Sequence, residues 1–142
     1  MCDKSTYLCE RVLEPLRAAR GGQPLVITSG WRSPIYNIRV GGKILGYHPR
    51  GQAADIAAAT LDDELDLMAQ ASGIEYSDPQ TGKKVRPVGG IGFYPGRGFI
   101  HVDTGSRKNG RIRTWMRTAE GKDVPLPAHI VDRLRARGAI DI

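Results

Sequence analysis

His48 and Asp55 stand in the stretch "GYHPRGQAADI" (46–56), with six residues between them. Each carries a lone pair that a metal ion accepts, but two donors do not make a metal centre. A third stands in "GFIHVDT" (98–104). Read as a strand, that run alternates its side chains, so His101 and Asp103 share one face while Ile100 and Val102 take the other. Two histidines and an aspartate, with a fourth position left to water, make the donor set of a catalytic zinc. Zinc held by His48, Asp55 and His101 would lower the pKa of its water from about 15.7 to about 7 and polarise a carbonyl. That is the chemistry of amide hydrolysis. Oxygen and imidazole donors also accept other divalent ions.

Such a site needs a scaffold that brings its parts together. "KSTYLCERVLEPLRAAR" (4–20) places Leu8, Val12 and Leu16 at helical spacing and ends at "GG", which predicts an opening helix bent at Pro15. "PLVITSG" predicts a short buried strand. From Trp31 to about Gln52 no period holds, and prolines and glycines interrupt the chain. Loops beyond about 12 to 15 residues are uncommon in compact domains unless they work, so this one is read as functional. "AADIAAA" predicts a small-residue strand, and "TLDDELDLMAQAS" a helix capped by Thr60 and Asp63 with Leu61, Leu65 and Met68 inward. Residues 74–88 carry hairpin turn chemistry. "GGIGFY" and "GFIHVDT" predict two further strands, "RIRTW" the last one, and "PAHIVDRLRARG" a closing helix that buries Ala128, Ile130 and Leu134 and stops at Gly138.

The whole is expected to be a single α+β domain over 1–142, a small mostly antiparallel sheet with flanking helices. The length suits one domain. Apolar residues make up 40% of the chain and aromatics only 6%, which predicts a modest aliphatic core. Lys and Arg outnumber Asp and Glu by 21 to 15, giving a net charge of +6 and a pI near 9.6. That balance favours polyanionic surroundings, nucleic acid or bacterial cell wall. The basic residues are scattered rather than gathered on one groove-reading element, which argues against nucleic acid. Cys2 and Cys9 would close only a very short loop, so no disulfide framework follows. No secretory signal and no apolar run of membrane-spanning length is visible. The expectation is a monomer made in the cytoplasm and delivered to its substrate by lysis, a phage particle or dedicated export.

Three segments carry a family likeness: "ITSGWRSPIYN" with "VGG" (27–42), "YHPRGQAADI" (47–56) and "GGIGFYPGRGFIHVDTG" (89–105), followed by "RIRTW". In this order they resemble the zinc D-alanyl-D-alanine metallopeptidases of the hedgehog-like fold, in their short phage and bacterial branch. The resemblance implies a zinc peptidase acting on the stem peptides of peptidoglycan, as a DD-carboxypeptidase or an endolysin-like endopeptidase, with His48, Asp55 and His101 as ligands. It also implies that Arg32 is the cation that binds the substrate carbonyl or carboxylate; a fixed guanidinium there suits a developing oxyanion.

Two positions depart from the family pattern. Many members carry an acidic general base three residues before the last histidine, where this chain has Gly98; the branch usually has serine two residues before the first histidine, where this chain has Gly46. Asp103 is the candidate to move the proton, or else it orients a histidine ligand. Tyr94 is a candidate oxyanion donor or a packing residue, and Arg113 a candidate for a substrate carboxylate. The remaining arginines at 107, 111, 117, 133, 135 and 137 are read as solvated faces, and His129 as an ordinary polar residue. The rival function is a catalytically inactive, zinc-bearing module that binds cell wall or another protein.

Overall fold

A computed structural model of the chain describes residues 4–29 and 51–142. The predicted loop to Gln52 falls outside these residues except for its last two positions, and with it Arg32 and His48. The opening helix, α1, runs through three continuous segments, Lys4–Leu8, Cys9–Leu13 and Glu14–Ala19. The middle one is π-helical, with the Glu14 N–H donating to the Cys9 carbonyl. Pro15 has no N–H to offer the carbonyl four residues back, and the wide turn lies directly before it. Gly21 and Gly22, at φ 74° and 78°, end the helix as expected: their N–H groups return to the carbonyls of Ala18 and Arg17.

Among the described residues eight strands follow in chain order: β1 (Ile27–Ser29), β2 (Ala53–Ala57), β3 (Tyr76–Ser77), β4 (Lys84–Val85), β5 (Gly90–Tyr94), β6 (Phe99–Asp103), β7 (Arg113–Arg117) and β8 (Asp123–Val124). Helix α2 (Leu61–Gly73) separates β2 from β3, and α3 (Ala128–Ala136) closes the chain. Six strands form one sheet in the order β1-β2-β6-β5-β7-β8, and β3 and β4 form the separate hairpin expected of residues 74–88. The sheet is antiparallel except where β7 runs parallel to β5, so it is mixed. β7 is followed by β8 and is not the last strand. The fold is α+β.

One face of the sheet makes the core. Ala54, Ile56, Ile91, Phe93, Ile100 and Val102 point to it and meet Leu8, Val12 and Leu16 of α1, Leu65 and Met68 of α2, and Ile130 and Leu134 of α3. Each such fully buried aliphatic side chain contributes about 1.5–3 kcal/mol. Thr60 caps α2 by accepting the Asp63 N–H at 3.1 Å. Three apolar expectations are corrected. Leu61 is 42% exposed because it begins the helix, Ala128 is exposed for the same reason, and β1 is an exposed edge strand with Val26 at 61% and Ile27 at 40%.

The arginines expected as solvated faces are largely engaged. Arg107 donates to the Val88 carbonyl and to Asp141, Arg117 to Asp123, Arg111 to the Ile142 carbonyl, and Arg133 and Arg137 tie α3 to Asp62 and Asp66 of α2. Among the described residues these arginines are thereby tied to acids and carbonyls rather than displayed as one basic surface.

Candidate active site

The second face of the sheet carries the polar residues. Strand pairing sets them in two parallel rows. One row runs Asp55, His101, Gly92, Trp115 across β2, β6, β5 and β7; the next runs Ala53, Asp103, Gly90, Arg113. Antiparallel partners directly opposite each other lie close enough for their side chains to touch. Asp55 Oδ1 accordingly stands 3.4 Å from His101 Nδ1. On its other side the imidazole bonds through Nε2 to Asp103 Oδ2 at 2.8 Å.

Asp103 is fully buried. Besides His101, it accepts the Gly105 N–H at 2.9 Å and the Arg113 guanidinium, both on Oδ1. Arg113 also donates from Nε to the Ser106 carbonyl at 2.7 Å. The glycines of β5 make this crossing possible. A Cβ on Gly90 would stand 2.3 Å from Asp103 Oδ2 and 2.8 Å from Arg113 Nη2. A Cβ on Gly92 would stand 2.6 Å from the indole of Trp115, which lies tilted against His101 with ring centroids 5.1 Å apart.

These contacts set the charges. Burial pushes the Asp103 carboxyl up, but the hydrogen bond and charge of His101, the charge of Arg113 and the Gly105 N–H outweigh it and hold the carboxyl below its ordinary value. Burial pulls the His101 imidazole down, and the hydrogen bonds and charges of Asp103 and Asp55 more than restore it, leaving it raised. Tyr94 takes the Trp115 N–H on its hydroxyl at 3.2 Å and stacks on Phe99 with centroids 4.8 Å apart. Burial raises its phenol against the lowering pull of Trp115 and Arg117, so the hydroxyl stays protonated at neutral pH.

Asp55, His101, Asp103, Tyr94 and Arg113 therefore share one face, as strand alternation predicts, whereas Arg32 and His48 lie outside the described residues. The Asp103 carboxylate is buried with three donors on it, and Arg113 has its guanidinium on Asp103 and the Ser106 carbonyl. Gly98, where many relatives carry an acid, sits in the β5–β6 turn at φ 75°, a conformation that side chains rarely adopt. Trp115 was not singled out from sequence, although alternation in "RTW" places it beside Arg113.

A mixed sheet with helices on one face and an Asp–His pair braced on the other agrees with a match over residues 2–103 to the family model described as Peptidase M15. The chain belongs to that family of peptidases. Among curated proteins it is similar to the peptidoglycan L,D-endopeptidase MepK of Escherichia coli (strain K12) and to the protein of the same name in Shigella flexneri, 28% identical to each over 92 residues. The aligned part is 61% of this chain and 43% of the relative, so the match spans less than half the length of those proteins.

Proposed function

We propose that this chain is a metal-dependent peptidase that hydrolyses a peptide bond in peptidoglycan stem peptides, with Asp55 and His101, joined by His48, holding a divalent ion, zinc by preference. The observation that carries the reading is the spacing and bracing of Asp55 and His101. Asp103, held ionised by His101, Arg113 and Gly105, takes the Nε2–H of His101, which in the neutral imidazole leaves the Nδ1 lone pair on the side of Asp55. A separation of 3.4 Å is long for a charge-assisted hydrogen bond, which prefers about 2.7–2.9 Å. It equals, at about 3.3–3.4 Å, the spacing of two nitrogen or oxygen donors on one tetrahedral zinc with bonds near 2.0–2.1 Å.

A zinc held by these residues would supply a water of lowered pKa and a Lewis acid for the scissile carbonyl. The chain's own residues do the rest. Asp103 fixes the tautomer of His101, and Arg113 keeps Asp103 ionised. Tyr94 offers a neutral hydroxyl to an oxyanion on the same face. Arg32 supplies the substrate-binding cation that the family resemblance assigns to it. The substrate class follows the L,D-endopeptidase activity of the MepK relatives, which favours an internal cut in a stem peptide over removal of a terminal D-alanine.

The test is metal content of protein purified without chelator, beside turnover of purified peptidoglycan followed by mass spectrometry, with His48→Ala as control. One zinc per chain and product lost in the variant are expected, and the product mass separates an internal cut from loss of one D-alanine. Bound zinc without turnover would replace the peptidase with an inactive wall-binding module. No metal would overturn the ligand assignment.

A further inference from the structure

On the core side of the sheet, away from His101, an open cavity of about 630 Å³ lies between the β5–β6 turn and the first turns of α2 and α3. Phe93, Met116, Ala58, Pro95 and Ile130 are among the apolar residues that line it. The volume is that of a small-molecule site, and the lining has the usual character of one, apolar with few polar groups. Among the described residues, its titratable lining residues are Glu64 and, at the exposed rim, His129, and no lysine or arginine lines it.

Glu64 is the anomaly. It is 5% exposed, and burial alone pushes its carboxyl up, with no hydrogen bond or ion pair holding it among the described residues. In a chain with a net charge of +6, whose other acids are widely paired with arginines, this acid is left facing an apolar cavity. The Glu64 carboxylate lines this open cavity among apolar walls, where an opposite charge on a ligand would be drawn to it.

We infer that this cavity is a binding site for an organic cation, a primary ammonium on an apolar body, with Glu64 receiving the ammonium and Phe93, Met116 and Ile130 covering the body. The inference stands apart from the proposed peptidase activity, because the cavity and the Asp55–His101 pair lie on opposite faces of the sheet.

The probe is n-hexylammonium, with n-hexanol as its neutral counterpart of similar size, titrated into the full chain and followed by backbone amide shifts. Hexylammonium is expected to bind at least about tenfold tighter than hexanol, the margin of one charge-assisted hydrogen bond. The amides of Ala58, Gly98 and Ile130 should shift. Glu64→Gln should abolish the preference for the amine while leaving hexanol unchanged. His129→Lys, an exposed change that adds a cation at the rim, should weaken the amine alone, and it keeps the test decisive if Glu64→Gln does not fold. Equal affinity for the two probes would overturn the inference. So would a preference indifferent to both substitutions, or shifts confined to the His101 face.

Discussion

Replacing Asp103 with asparagine tests the bracing of His101 with almost no change of shape. In the parent, Oδ1 receives Arg113 and Gly105 while Oδ2 receives the His101 Nε2–H. An asparagine keeps the Arg113 guanidinium and the Gly105 N–H as donors only by pointing its carbonyl at them, which turns its NH2 toward Nε2. The imidazole must then accept at Nε2 and carry its proton on Nδ1, aimed at Asp55. The fold loses a buried charge pair, for which breaking one partner costs about 3–5 kcal/mol. Arg113 retains 27% side-chain exposure, so water takes up part of its charge, and the new Nδ1–H to Asp55 contact returns about 1 kcal/mol. The expected net loss is about 2 kcal/mol, or about 8 °C in melting temperature for a domain of this size. Metal affinity should fall further, by at least about 10- to 100-fold, because the donor atom has been protonated. Urea denaturation with and without chelator reads the first effect, competition with a chromophoric chelator the second, and 15N imidazole shifts the tautomer. An Asp103→Asn protein that binds zinc as tightly as the parent and keeps the proton on Nε2 would refute the bracing argument.

Gly92→Ala puts a methyl 2.6 Å from the Trp115 indole, which must retreat by about 1 Å; the expected cost is about 1–3 kcal/mol in urea denaturation, and a loss under 0.5 kcal/mol would refute the close crossing. Thr60→Ala removes the cap on the Asp63 N–H and should cost about 1 kcal/mol while leaving metal affinity unchanged. The depressed Asp103 carboxyl contributes stability that is present above its unfolded pKa of about 4 and is lost as pH falls through its lower folded value. Asp141, lowered by Arg107 despite its exposure, contributes in the same window, so the comparison with Asp103→Asn is the informative one. The parent should lose stability faster than the variant as pH drops below about 4, and superimposable acid profiles would count against an ionised Asp103.

Where a local rule decided the structure, the sequence was legible. The period of Leu8, Val12 and Leu16, the glycine stop after α1, the Thr60 cap and the alternation in "GFIHVDT" each have one physical outcome, and each was found. What failed depended on neighbours distant in the chain. That β7 runs parallel to β5 is a matter of topology that no pattern in "RIRTW" encodes. β1 has the residues of a buried strand but takes the sheet edge. Alternation put Asp103 on the polar face correctly, yet said nothing of its depth or of Arg113, which reaches it from two strands away. Likewise the arginines read as a solvated face found their acids up to 75 positions away, as Arg137 finds Asp62.

The glycines of β5 show why the polar residues alone under-describe this site. Donor types and spacing picked out Asp55 and His101, but a histidine in a sheet has two nitrogens and several ways to turn, and its usefulness depends on which nitrogen is left with a lone pair. That choice is made one row away, by Asp103, and Asp103 can make it only because Gly90 leaves room for Arg113 to cross β5. Gly92 does the same for Trp115 beneath the ring. A residue with a Cβ at position 90 or 92 would retain every polar group in the sequence and still displace the arrangement that orients His101. From sequence "GGIGFY" reads simply as a strand; in the sheet its spaced glycines are the gaps through which the neighbouring strand braces the site.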